Sequence, residues 1–157
     1  MDGPILAKDF MVTRLVTLDP HLDVFAAMAL LLKNKISGAP VIGADGEFLG
    51  VFEEKACMSV LIDAAYDQLP TNQVGAFADP EVRTIGEEVE LLTIAQVFLL
   101  TDCRRLPVLR EGRLVGQISR RDVLRVTLDL LRCAPEREPT LLLYLSALRE
   151  QRDAPIG

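Results

Sequence analysis

The chain has 157 residues, half of them apolar, which suffices for one compact domain or for two small halves that share a core. A formal net charge of −6 and the absence of tryptophan argue against a general nucleic-acid surface and against the base-stacking platforms of single-strand binders. No apolar stretch is long enough to cross a membrane, and no signal peptide is evident, so we expect a cytoplasmic protein without a membrane partner.

The first half of the chain predicts a strand, a helix, two strands and a second helix. Val24, Phe25 and Met28 recur at three- and four-residue steps, the period of a helix, and Asp19 or Asp23 can cap that helix. An Asp-Gly pair predicts a hairpin turn between the two later strands. In chain order the predicted elements are strand 15–18, helix 22–33, strand 39–42, strand 48–52 and helix 54–66.

A polar, proline-containing linker at 68–73 leads to a second half in which the same order returns. The predicted elements there are strand 82–85, helix 88–100, strand 106–109, strand 114–118 and helix 121–133. A tail at 134–157 predicts one more helix at 141–151. The apolar stripe of that helix fits packing against the body of the protein, and it also fits self-association.

Three cysteines and one histidine limit the available chemistry. Cys57, Cys103 and Cys133 are odd in number and unclustered, which predicts reduced thiols. His21 is the single histidine and has no neighbours that would form a metal site or a catalytic group. No P-loop is present, so we do not expect an enzyme or a required cofactor.

The two halves carry the same ordered motifs. The first contains KISGAPVI at 35–42 and LGV at 49–51, and the second contains RRLPVL at 104–109 and LVG at 114–116. A lead-in, KDFM at 8–11, precedes the first set, and SRRDVL at 119–124 follows the second. This set resembles the CBS domain, named after cystathionine β-synthase, two of which form a Bateman module. A repeat this short cannot easily bury its own core, so the two copies are expected to pack together.

The resemblance implies an α/β (α+β) fold of two pseudo-twofold-related β-α-β-β-α repeats, followed here by the C-terminal helix. We assign the repeats to residues 7–67 and 74–133. Such modules bind adenosine-containing ligands, AMP, ADP, ATP or S-adenosylmethionine, and they regulate an attached or partner protein and usually form dimers. We therefore expect a homodimer that acts in trans on an unidentified protein.

The resemblance also places a ligand site in the second repeat. The family's ligand motif, a hydroxyl residue and then an aspartate three residues on, corresponds to Ser119 and Asp122. A carboxylate can accept hydrogen bonds from both hydroxyls of a ribose, while Arg120 and Arg121 can supply charge to a phosphate. The other residues that the resemblance places at the two clefts are Thr84, Cys103, Arg104, Leu106 and Ile118, with Arg105 as a further candidate, and Thr17, Ser37 and Lys55 from the first repeat.

Two alternatives stay open. Ser119 and Asp122 also fit a helix-capping arrangement, and the capping and ribose-binding roles are compatible. In the first repeat the corresponding positions hold Glu53 and Ala56, which predicts a site degenerate for nucleotides, because alanine cannot hold a ribose and glutamate repels phosphate. The function is thus either that of a regulatory sensor or that of a ligand-independent dimerisation or interaction module with a vestigial pocket.

Overall fold

Two small sheets organise residues 3–133, the part of the chain that the computed structural model describes. In the first sheet β1 (Gly38–Ile42) pairs antiparallel with β2 (Phe48–Glu53). The second sheet has the order β3 (Ile85–Gly86), β4 (Arg105–Arg110), β5 (Arg113–Ser119), with β3 parallel to β4. The helices are α1 (Ala7–Phe10), α2 (Val24–Lys33), α3 (Glu54–Ala65), α4 (Leu91–Leu100) and α5 (Arg120–Cys133), with a 3-10 helix at Val74–Phe77.

Each sheet carries its own apolar core, and equivalent residues of the two repeats occupy equivalent positions in the strand pairing of the two sheets. Pro40 pairs with Val51 in the first sheet, as Pro107 pairs with Gln117 in the second. The largest side chains of the first core include Phe52, Leu18 and Val24, and those of the second include Ile94, Leu106 and Ile118, all buried. Burial of these side chains is the main stabilising contribution to the fold.

The repeats are interlocked through their lead-in segments. Val12, just after α1, exchanges two backbone hydrogen bonds of 2.9 Å with Gln117 in the second repeat. At the equivalent place in the lead-in of the second repeat (residues 74–80), Asp79 exchanges backbone hydrogen bonds of 2.8 and 3.0 Å with Val51 in the first repeat. Each lead-in therefore extends the sheet of the other repeat. Accordingly, Ala7 lies in the second core and Val74 in the first.

The tips of the two hairpins also pair with each other. The Phe48 amide donates to the Gly112 carbonyl over 3.0 Å, and the Leu114 amide donates to the Gly46 carbonyl over 3.2 Å. Because these contacts join equivalent residues reciprocally, the two repeats are related by a pseudo-twofold axis. The predicted fold of two β-α-β-β-α repeats is confirmed.

Two predicted strands are shorter than expected. Strand 15–18 is reduced to a single bridge from Leu18 to Val41, since the Asp19-Pro20 turn ends the pairing directly after it. Strand 82–85 becomes Ile85–Gly86. The N-terminal parts of both segments lie outside the hydrogen-bonded ladders.

Two helices begin later than predicted. The first starts at Val24 because the Asp23 carboxylate accepts hydrogen bonds from the Phe25 and Ala26 amides, as an N-cap does. Helix α4 starts at Leu91 because the residues before it pair with the N-terminal segment, as in the 2.8 Å bond from the Ala7 amide to the Val89 carbonyl. The predicted C-terminal helix at 141–151 lies outside the described residues. Within 3–133, no helix combines the length and hydropathy needed to span a bilayer.

Candidate functional site

A cavity of about 310 Å³ lies between the two repeats. The first repeat contributes the end of β2, and the second contributes the segments before β3 and at the start of β4. The lining residues are Val51 and Glu53 from the first repeat and Val82, Arg83, Asp102, Cys103, Arg104, Arg105 and Pro107 from the second. The alternation of side chains along β2 explains this placement: Phe52 enters the core, while Val51 and Glu53 reach the cavity.

A second cavity of about 270 Å³ shares Val51 and Glu53 with the first. The rest of its wall comes from the first half of α3 and from the lead-in of the second repeat: Lys55, Ala56, Ser59, Phe77 and Asp79. Glu53, which ends β2, therefore lies at the boundary between the two cavities. A ligand that contacts both cavities has to pass its carboxylate.

The larger cavity is lined by side chains of both charges. Arg105 donates a hydrogen bond through Nη2 to Ser37 Oγ and so connects the two repeats. In contrast, the side chains of Arg83, Arg104 and Glu53 form no hydrogen bond or ion pair with the described part of the chain, nor does that of Asp102. Unpaired charges around an open cavity remain available to a ligand.

Gly38 makes the approach of Arg105 possible. A Cβ on Gly38 would lie 2.5 Å from Arg105 Nη1 and 3.0 Å from Glu53 Cγ, so a larger residue there would displace the Arg105 side chain. The Ser-Gly pair is thus the part of the first repeat that receives an arginine of the second.

Ser119 and Asp122 form the capping arrangement at the start of α5. Asp122 Oδ2 accepts from the Ser119 amide over 2.8 Å and from Ser119 Oγ over 2.9 Å. Asp122 Oδ1 accepts from Arg125 Nη1 over 3.1 Å, within the same helix. Asp122 is buried, and both of its oxygens have a partner. Ribose hydroxyls can reach this carboxylate beside Arg125 or in its place, because each carboxylate oxygen has two lone pairs.

The predicted site residues do not all meet in one place. Cys103 and Arg104 line the larger cavity, and Ser37 is joined to it through Arg105. Ser119 and Asp122 are not among the residues that line either cavity. Of the remaining predicted residues, Leu106 and Ile118 are fully buried in the second core. Thr17 and Thr84 are half-buried, and each precedes a buried residue that pairs with a strand. Arg120 and Arg121 are exposed.

Arg83 and Asp102 are lining residues that the sequence analysis did not select. Each directly precedes a selected residue, Thr84 or Cys103, and this adjacency is the only sequence signal for them. Glu53 and Ala56, considered only as signs of a degenerate site, both line the smaller cavity, and so does Lys55.

The two cysteines with described side chains differ in environment. Cys57 belongs to the first core, and burial raises the pKa of its thiol, which disfavours the reactive thiolate. Cys103 is partly exposed at the wall of the larger cavity. Within residues 3–133, no cluster of three or more His, Cys, Asp or Glu side chains could hold a metal ion.

Two interlocked β-α-β-β-α repeats with two cavities at their interface define a tandem-repeat module. The family model of the CBS domain matches residues 7–63 and 74–129. The chain therefore belongs to the CBS-domain family and contains two such domains in tandem, which confirms the family predicted from the sequence.

Relatives agree with this assignment. The chain is 27% identical over 122 residues to the uncharacterised protein MJ1225 of Methanocaldococcus jannaschii, covering 76% of this chain and 41% of that protein. It is also 27% identical over 139 residues to the chloroplastic CBS domain-containing protein CBSX1 of Arabidopsis thaliana, covering 72% and 59% of the two chains. The chain thus spans less than two thirds of the length of these relatives.

A solved structure supports the same family assignment. The crystal structure of CBSX2 in complex with AMP is similar at a TM-score of 0.73 and 28% sequence identity. The match covers 82% of this chain and 99% of that one. The similarity therefore extends over a complete pair of CBS domains.

Proposed function

We propose that this protein is a regulatory module that binds an adenosine-containing ligand (AMP, ADP, ATP or S-adenosylmethionine), in a site supplied mainly by the second repeat, and that it acts in trans on a partner protein. The cavity of about 310 Å³, in which Arg83 and Arg104 have no partner in the described part of the chain, carries this proposal. The AMP bound by the related CBSX2 supports an adenosine-type ligand.

Arg104 is the residue we assign to the anionic end of the ligand. Its side chain lines the cavity, is exposed and has no partner among the described residues, so its guanidinium can form a forked pair with a phosphate without breaking another contact. Arg105 can add charge while it holds Ser37. The ribose role of Asp122 and Ser119 remains part of the proposal, with the ribose hydroxyls bound beside Arg125 or in its place.

Calorimetric titration with AMP, ADP, ATP and S-adenosylmethionine tests the proposal. We expect Arg104→Ala to weaken the binding of AMP about tenfold, the loss typical of a charge-assisted hydrogen bond. Asp122→Asn should weaken binding by a similar factor if this carboxylate binds the ribose hydroxyls. Arg132→Ala and Asp129→Asn, exposed changes on α5 with the same charge differences, are matched controls and should bind as the wild type does.

The outcomes separate the two functions left open by the sequence. Binding that is lost in Arg104→Ala but kept in Arg132→Ala supports the sensor. Equal binding in all variants places the ligand elsewhere. No heat with any of the four ligands, from a folded protein, excludes the sensor and favours an interaction module with a vestigial pocket.

Exposed apolar side chains favour association whichever of these functions holds. Leu32 on α2 and Leu99 at the equivalent position of α4 are each 81% exposed. On α3 and α5, the equivalent pairs Met58 with Leu124 and Ile62 with Leu128 are also exposed. Because both repeats present apolar residues at matching positions, we propose that these helices form the self-complementary interface of a homodimer.

Sedimentation velocity at micromolar concentration tests the homodimer. We expect the wild type to sediment as a dimer and Leu128→Glu to shift it toward a monomer, because a carboxylate would be buried without a partner at the interface. Gln68→Glu, an exposed change in the linker outside these helices that adds the same charge, is the control. A monomeric wild type, or a Leu128→Glu variant that remains fully dimeric, would contradict this interface.

A further inference from the structure

We propose that Glu53 makes the cavity between the repeats select its ligand by charge. The favoured ligand is an adenosine-containing compound whose distal group carries a positive charge beside a carboxylate, as in S-adenosylmethionine, and the disfavoured ones are ADP and ATP. The inference rests on the proposed function and names the ligand class for the same site.

The position of Glu53 is the first argument. It is the last residue of β2, and it is the one charged residue common to the walls of both cavities in the described part of the chain. Its partner in the strand pair is Gly38, so no side chain on β1 covers it at that point. A ligand that enters either cavity therefore lies within reach of its carboxylate.

The absence of a partner for this carboxylate is the second argument. Glu53 Cγ and Arg105 Nη1 both lie within 3.0 Å of the point that a Cβ on Gly38 would occupy. Even so, Arg105 donates to Ser37, and Glu53 forms no ion pair with it or with any other described residue. A carboxylate without an ion-pair partner in the described part of the chain remains available to a charged group of the ligand.

The distribution of charge in the larger cavity is the third argument. Arg83, Arg104 and Arg105 face Glu53 and Asp102, so both signs are present and the cationic excess is small. The three arginines exceed the two carboxylates by a single charge, and one excess positive charge compensates only a small part of the charge of a triphosphate. An aminoacyl group can instead place its carboxylate at an arginine and its ammonium or sulfonium charge at Glu53.

Substitution of Glu53 tests this charge selection. Wild-type protein, Glu53→Gln and Glu54→Gln are titrated calorimetrically with S-adenosylmethionine, AMP and ATP. Glu54 is the matched control, since it is the exposed neighbouring carboxylate and lines neither cavity. We expect the wild type to bind S-adenosylmethionine about tenfold more tightly than ATP, and Glu53→Gln to remove most of that preference by strengthening ATP binding and weakening S-adenosylmethionine binding. Glu54→Gln should keep the wild-type preference.

Each other outcome overturns the inference in a distinguishable way. A wild type that prefers ATP, or a Glu53→Gln variant with the wild-type preference, shows that Glu53 does not select by charge but leaves the adenosine-binding function standing. Loss of preference in Glu54→Gln as well assigns the effect to general surface charge rather than to the cavity. No binding of any of the three ligands by any of the three proteins overturns both the inference and the proposed function.

Discussion

Phe52→Ala is expected to lower the free energy of unfolding by about 3–5 kcal/mol, the range for removing a fully buried aromatic side chain. Phe52 is completely buried in the first core, and it pairs with the equally buried Ala39 across the strand pair. Alanine would leave a cavity that two rigid strands cannot close. Urea denaturation followed by circular dichroism measures the loss.

Phe25→Ala is the matched control for this substitution. Phe25 lies on α2 and is 49% exposed, so its truncation should cost less than about 1 kcal/mol. Equal losses in the two variants would contradict the assignment of Phe52 to the core. Because Phe52 stands between the cavity residues Val51 and Glu53, Phe52→Ala should also weaken ligand binding by loosening the end of β2.

Gly50→Ala is expected to destabilise the protein by about 2–4 kcal/mol through backbone strain and overpacking. Gly50 has a φ of 143°, in the region that favours glycine. A Cβ there would lie 2.6 Å from the Asp79 carbonyl oxygen and 3.1 Å from the Pro80 nitrogen. These are backbone atoms of the lead-in to the second repeat, so a rotamer change cannot relieve the clash.

The Gly50 substitution tests the interlocking of the two repeats. Amide hydrogen exchange should show lost protection at Val51 and Asp79, whose backbone hydrogen bonds join the lead-in to β2. Gly86→Ala is the control, because nothing lies within 4 Å of a Cβ at Gly86. Wild-type stability and unchanged protection in Gly50→Ala would refute the close approach of the lead-in to this strand.

The sequence by itself determined the repeat and its order of elements. The Asp-Gly pair predicted a turn that the structure places at Gly46, which has a positive φ. The apolar spacing of Val24, Phe25 and Met28 predicted the helix α2, in which Val24 is buried whereas Phe25 is 49% exposed. These features depend on neighbours close in the chain, which is why periodicity and turn residues reveal them.

Only the tertiary structure decided which repeat each segment contacts. Both repeats carry the same apolar pattern, so α1 and the 3-10 helix fit either sheet equally well by periodicity. In the folded chain, α1 packs against the sheet of the second repeat, and the 3-10 helix packs against the sheet of the first repeat. The same exchange brings Glu53 to Arg104 and Arg105, and leaves Asp122 with Ser119 and Arg125 as a helix cap. An apolar pattern in the sequence predicts that one face of an element is buried. It does not predict which of two equivalent sheets buries that face, because the choice depends on contacts between residues far apart in the chain.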